Sequence, residues 1–399
     1  LTTDTLGQST VAIGRNALIV QNFTTATDTF NVAIGDRAAT SVTTGTRNTI
    51  VGGLAGDAIT TADRNTVFGA LALSEETTGE YSVAVGYQAL AVQNSTTGAS
   101  MYNTAVGYQA GFSITTGTQN VLMGALAGDA MTTPNNNVAV GFQALSNDTT
   151  GQSNVGVGYN ALATQNRTDS TSQFNVGVGA SAGEQITSGT QNTLIGGLAG
   201  DELTASDFNV AVGYSSLSTD TLGARNVAVG HEALASQNFT TATTVYNTAV
   251  GMQAGRLITV GEGNTLVGGL AGDALTDADF NVAVGKNTLS SDTLGSFSTA
   301  LGINCLEQQN FTTATNSFNT AVGALAGGAI TTGVQNTIVG ARAGDAFTDA
   351  DYNVAIGEQA LTTDTKGNRS VAVGFGALAI QNLTTSTDTY NTAVGSNAG

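Results

Sequence analysis

The sequence predicts an all-β chain, a parallel β-solenoid or β-roll of about 22 coils. Three observations carry that prediction. A leucine recurs at Leu1, Leu73, Leu145, Leu217, Leu289 and Leu361, always 72 residues apart, with no insertion or deletion in 399 residues. Inside each unit a shorter motif, Asn-(Val/Thr)-Ala-Val-Gly-x-x-Ala, returns at steps of 21, 17, 17 and 17 residues. Its residues alternate as a strand does, and Gly and Asn interrupt them too often for helices.

The motif glycine fixes the coil count. It stands at Gly14, Gly35, Gly52, Gly69, Gly86 and Gly107 and continues to Gly395, present at all 22 expected positions. It is expected to end a strand, where a residue without Cβ makes the turn. Three residues before it every coil carries Val or Thr, as at Val11, Thr49 and Val83. β-Branching there favours a strand. The residue just before the glycine is always apolar, as at Ile13, Val51 and Phe68, and shares a face with the Val/Thr column. The column between them faces the other way and is apolar too: Ala12, Ala33, Ile50, Val67, relaxing only to Gly156 and Gly177. A strand apolar on both faces is normally covered on both. One face fills the coil; the other calls for a second or third chain.

After the glycine the coils divide. Ala follows three residues on in 19 of 22, with Ser216, Thr288 and Cys305 as exceptions. Some coils then place Leu, as at Leu18, Leu73 and Leu90; others place Gly and an aliphatic residue three positions later, as Gly56 with Ile59 and Gly128 with Met131. Either supplies the inward residue of an expected return strand. Asn precedes the glycine by four residues in 18 of 22 coils, and stacked asparagines are expected to bond up and down a ladder. At about 4.8 Å per coil the array would form a rod roughly 100 Å long. The chain reads as one continuous array over 1–399, with units starting at 1, 73, 145, 217, 289 and 361, and as a section of something longer.

The run Asn103-Thr-Ala-Val-Gly107-Tyr-Gln-Ala110 resembles the head repeats of YadA-like trimeric autotransporter adhesins, and related repeats occur in phage tail-fibre proteins. The resemblance extends over the whole chain. It implies a left-handed parallel β-roll packed as a homotrimer, with a turn glycine, two inward aliphatics and a small residue facing the threefold axis.

Composition excludes several classes of function. Only 10% of residues are charged, and 11 Lys and Arg against 29 Asp and Glu give a net charge of −18. Nucleic acid is a poor partner for such a chain. No apolar window is long enough to insert in a membrane. His231 is the one histidine and is expected at the surface, so His-based triads and metal sites are lacking; Cys305 is the one cysteine and is expected to pack where other coils carry Ala. No enzyme and no cofactor are expected.

Two sets of residues remain as candidate sites. Acidic residues fall on the lattice at Asp57, Asp129, Asp201, Asp273 and Asp345, and at Asp4, Glu76, Asp148, Asp220, Asp292 and Asp364. The denser sets Asp273, Asp277, Asp279 and Asp345, Asp349, Asp351 are weak calcium candidates, with solvated turn aspartates as the ordinary reading. The triplets Asn22-Phe-Thr, Asn94-Ser-Thr, Asn166-Arg-Thr, Asn238-Phe-Thr, Asn310-Phe-Thr and Asn382-Leu-Thr recur every 72 residues in the 21-residue coil, with Asn147-Asp-Thr and Asn368-Arg-Ser off that lattice. They are glycosylation candidates in a secreted protein, or one triplet copied by duplication.

The expected function is a non-catalytic structural segment of an extracellular attachment fibre on a cell surface or virion, providing a rigid rod and an adhesion surface toward a cell-surface or glycan receptor. The alternatives are a subunit of a long secreted filament, bearing glycans, and an ice- or carbohydrate-binding solenoid suggested by threonine pairs such as Thr24-Thr25 and Thr115-Thr116.

Overall fold

The computed structural model describes residues 3–399. It is a parallel β-solenoid, with no helix among the described residues. The chain falls into two compact units, Leu1–Gly197 and Leu198–Gly399. Each contains 11 three-residue motif strands, from Val11–Ile13 to Thr193–Ile195 in the first and from Val210–Val212 to Thr392–Val394 in the second.

Within each unit every motif strand pairs in parallel with the next, column for column. In the first unit Val32, Ala33 and Ile34 lie opposite Thr49, Ile50 and Val51, which lie opposite Thr66, Val67 and Phe68. In the second, Thr248, Ala249 and Val250 lie opposite Thr265, Leu266 and Val267. The 21-residue coils keep the same register, so Val83 meets Thr104 and Val227 meets Thr248; their four extra residues leave the ladder undisturbed.

The motif glycines line one edge as expected, with φ of 125–146°. That region is closed to most L-residues, and a Cβ on Gly35 would press on the Gly52 carbonyl, as one on Gly52 would on Gly69. Gly14, Gly69, Gly86 and Gly107 meet the next coil in the same way.

Hydropathy left open which strand face is internal. The structure puts the middle column inside: Ala33, Ile50, Val67, Ala84 and Leu122 are buried. The Val/Thr column and the residue before the glycine face outward, half-buried or exposed. The Ala three residues past the glycine is inside as well, at Ala38, Ala55 and Ala72. This corrects the placement of a small residue toward a threefold axis, because both small-residue columns are buried within the single chain.

The interior closes by size matching. A large middle residue is paired with Gly at the fourth position past the motif glycine and a large residue three further on, as in Leu122, Gly128 and Met131. A Cβ on Gly128 would strike both Met131 Sδ and Leu122 Cδ2. At Ala84, Leu90 fills the space instead, whereas Ala105 is followed by Gly111 and Ile114, and a Cβ on Gly111 would strike Leu90 and Leu122 of the neighbouring coils. Interiors packed to this density leave no room for an added methyl group. Leu73, Leu90, Ile59 and Met131 are thus inside as expected, but no return strand carries them. Leu18, Leu73 and Leu90 sit in a run of turns with left-handed backbone (φ 50–51°). Ladder bonds hold that conformation: Leu73 N donates to Ala89 O in the next coil at 3.0 Å, and Leu71 N to Gly53 O in the previous one at 3.1 Å.

The Asn column is buried from Asn31 to Asn353 and ties coil to coil more specifically than amide stacking would. Asn31 Oδ1 accepts the Asn48 backbone N–H at 3.0 Å, and Asn48 Oδ1 accepts that of Asn65 at 3.0 Å. Each Nδ2 donates to a carbonyl fourteen residues on, Asn31 to Gly45 at 2.7 Å and Asn48 to Ala62 at 2.8 Å. One side chain therefore satisfies two buried main-chain groups that the short strands leave over.

Candidate functional site

The most extensive surface feature is the outward strand face. Its two columns hold no charged residue in any of the 22 coils, although the chain carries 40 Lys, Arg, Asp and Glu. The aliphatic column is substantially open to solvent for a β-sheet interior, with Val250 at 36% and Val322 at 37%. Aromatic side chains flank it on both sides. On one side, five residues before the motif glycine, stand Tyr81, Tyr102, Phe280, Phe297 and Phe318, all in left-handed backbone. Tyr81 stacks on Tyr102 at 5.2 Å, and Phe297 lies 5.2 Å from Phe280 and 5.4 Å from Phe318. Arginines continue that column: Arg225 lies 4.5 Å over Phe208, and Arg369 4.5 Å over Tyr352. On the other side, just after the glycine, Tyr87 pairs with Tyr108 and Phe142 with Tyr159, both at 5.8 Å. His231 belongs here, exposed and 5.6 Å from Tyr214. The sequence reading missed the five-before column because its residue type varies. Its signal was the recurrence of Phe30, Tyr102, Phe174, Tyr246, Phe318 and Tyr390 at 72-residue intervals.

The long coils form the second feature. Each bulges outward and carries a short extra pairing, such as Gly223–Ala224 with Thr243–Thr244 and Gly295–Ser296 with Thr315–Asn316. The triplet asparagines lie here. Asn22, Asn166, Asn238, Asn310 and Asn382 are exposed and Asn94 is half-buried, while the middle residue turns inward at Phe23, Ser95, Phe239 and Phe311. Their placement follows from the stack. In ordinary coils a threonine ladder occupies this position, Thr43 Oγ1 donating to Thr60 O at 3.2 Å and Thr60 Oγ1 to Thr77 O at 3.0 Å. In the long coil Asn replaces the threonine: Thr77 Oγ1 donates to Asn94 Oδ1 at 2.9 Å and Thr149 Oγ1 to Asn166 Oδ1 at 3.0 Å. Off the lattice, Asn147 is exposed and Asn368 is buried, its Oδ1 accepting the Asp351 N–H at 2.9 Å. Threonine pairs serve the same ladder, Thr115 Oγ1 donating to Thr132 O at 3.0 Å.

From Glu76 to Asp364 the second acidic series lies inside the chain. Glu76, Asp148, Asp220, Asp292 and Asp364 are fully buried beneath the long coils. Asp220 Oδ1 accepts the N–H groups of Gly223 at 3.1 Å and Phe239 at 3.0 Å, and its Oδ2 accepts Gln237 Nε2 at 2.6 Å. Burial pushes the carboxyls of Asp148 and Asp220 above the ordinary value, against the donors that pull them down. Asp4 makes the corresponding bonds to Gly7 N at 2.9 Å and Gln21 Nε2 at 2.5 Å, but is only half-buried. The glutamine partners Gln21, Gln93, Gln165, Gln237, Gln309 and Gln381 also recur every 72 residues, a signal the sequence reading passed over.

The calcium candidates do not gather. Among the described residues no group of three or more His, Cys, Asp or Glu is placed to hold a metal ion. Asp279 Oδ1 accepts the Glu262 N–H at 2.9 Å and Asp351 Oδ1 the Val334 N–H at 2.8 Å. Asp345 Oδ1 accepts Thr362 Oγ1 at 2.6 Å, and Asp349 pairs with Lys366 at 3.4 Å. Burial raises the carboxyl of Asp273, whose Oδ1 has no hydrogen-bond partner. Asp277 is exposed. Cys305 is buried with its thiol pushed up to about 12 by desolvation, and its Sγ faces Ala321 O at 3.3 Å. No helix of the described residues is long and apolar enough to cross a membrane. Neither a family model nor a curated protein matches the chain.

Proposed function

We propose that the chain is a non-catalytic structural segment of an extracellular attachment fibre, a surface adhesin or phage tail fibre, whose copies associate side by side. The outward strand face carries this reading. Eleven strands per unit at about 4.8 Å make a face about 50 Å long, and four side-chain columns make it about 20 Å wide. That is on the order of 1,000 Å² per unit, against about 800 Å² per partner in a stable interface. The two central columns are uncharged throughout and the flanking ones mix aromatics with arginines and polar residues, a composition and size that support an interaction surface. Identical copies suit it because its two central columns hold no charge, while a net charge of −18 repels copies everywhere else. A threefold packing and left-handed winding follow the adhesin resemblance.

Coil-by-coil stacking supports a rod that presents side chains at fixed intervals. The long-coil loops, one per 72-residue unit, are the part of such a rod open to a receptor or glycan. Analytical ultracentrifugation tests the reading: an elongated trimer at micromolar concentration is expected, and a monomer that persists at high concentration overturns it.

A further inference from the structure

The two rims of the outward strand face differ in charge. The column five residues before the motif glycine holds Arg47, Arg64, Arg225 and Arg369 and no acid in 22 coils, although acids outnumber bases 29 to 11 in the chain. The column just after the glycine carries acids at Asp36 and Glu358 and bases at Arg15, His231 and Lys286. All of these residues are exposed. We propose that copies of the chain pack parallel, the arginine rim of one against the post-glycine rim of the next, each contact stepping one coil onward. This inference rests on the self-association proposed above and adds to it a polarity and a register.

Polarity follows from which rims meet. Copies that run in the same direction around a common axis set unlike rims together. Copies that run in opposite directions set each rim against its own kind. The second arrangement faces arginines with a column that has no acid to meet them. The first brings arginines and acids together, and complementary charge across a contact selects the partner and fixes its register.

The one-coil step follows from the order of residues along each rim. One coil onward from Asp36 the arginine rim holds Arg47, and one coil onward from Glu358 it holds Arg369. The bases Arg15, His231 and Lys286 then meet Phe30, Tyr246 and Phe297, so no base meets a base. Without the step, Asp36 and Glu358 would face Phe30 and Tyr352, and His231 would face Arg225. With the step reversed, the two acids would face Ser9 and Gln335. Only the onward step gives both acids an arginine, one in each compact unit. A coil rises about 4.8 Å, a distance that an arginine side chain spans.

These groups retain capacity for a second chain. Among the described residues, Arg47, Lys286 and Glu358 form no ion pair. Arg369 touches Asp388 at 3.2 Å and lies over Tyr352, which leaves N–H donors of its guanidinium over. Asp36 pairs with Arg15 at 2.7 Å with both side chains exposed, so its oxygens still reach water and can accept a further donor.

A double-mutant cycle on self-association, read by sedimentation equilibrium, tests the contact. Glu358→Gln and Arg369→Gln are each expected to weaken association roughly fivefold, and the two together to weaken it no further. The residues lie on opposite rims, about 20 Å apart within one chain, so such coupling arises between copies. Unchanged association in the single variants, or losses that multiply, overturn the pairing. Polarity is read with a short bismaleimide in a Cys305→Ala background. Chains carrying Glu358→Cys, refolded together with chains carrying Arg369→Cys, are expected to join to one another, and each variant refolded by itself to stay unjoined. Joining of Arg369→Cys chains among themselves overturns the parallel arrangement and leaves self-association standing. A wild-type chain that stays monomeric overturns both.

Discussion

Asn120 Oδ1 accepts the backbone N–H of Asn137 at 3.1 Å, a bond between residues seventeen apart in sequence and one coil apart in space. The same Asn120 donates from Nδ2 to Pro134 O at 2.9 Å. All of these groups are buried, so the pair shows how a three-residue strand is made sufficient: the side chain adds the rungs the strand is too short to supply.

Asn120→Ala leaves a buried N–H and a buried C=O without partners. A loss of about 3 kcal/mol is expected, read as a lower denaturation midpoint in urea. A change below about 0.5 kcal/mol would mean that the ladder is redundant.

Gly124→Ala places a methyl group against the Gly141 carbonyl in a backbone with φ 137°. A cost of about 4 kcal/mol or more is expected, with local loss of strand protection from exchange.

Asp129 and Asp273 are raised by burial, and each has a buried Oδ1 without a partner. Their ionised forms cost stability above the raised folded value, and the cost disappears below the unfolded one. Asp129→Asn is therefore expected to raise Tm at neutral pH, with the advantage shrinking as pH falls through that window. Calorimetry across the pH range measures it.

Val322→Glu introduces a charge into the outward column, where the side chain is 37% exposed. The coil is expected to stay folded and self-association to be lost. Circular dichroism and sedimentation of the same sample separate the two effects.

Cys305, with its thiol pushed up to about 12, remains protonated near neutral pH. Iodoacetamide is expected to leave it unmodified in the folded chain and to label it fully in denaturant, as an intact-mass measurement reports.

Much of this fold was legible because its determinants lie within one motif. The Gly14 to Gly395 series, the β-branched column and the choice of Leu90 or Gly128 with Met131 act over a few residues and repeat in strict register. Which strand face is internal was not legible, since Val83, Ala84 and Val85 are all apolar. Size decides it: Ala84 fits beside Leu90 in a narrow coil, whereas two valines per strand do not. The burial of Asp148, Asp220 and Asp292 was not legible, because their spacing names no donor to receive them. The partners of Asp220, at Gln237 and Phe239, lie in the next coil and come together only once the coil closes.

Disulfide trapping tests the stacked register most directly. In a Cys305→Ala background, cysteines replacing Val121 and Val138, which stand opposite each other, have Cα atoms about 5 Å apart, within disulfide reach. Mild oxidation is expected to join them within one chain, whereas cysteines replacing Val121 and Phe142 stay reduced. Efficient joining of the second pair, or none of the first, would contradict a stack with one coil per motif.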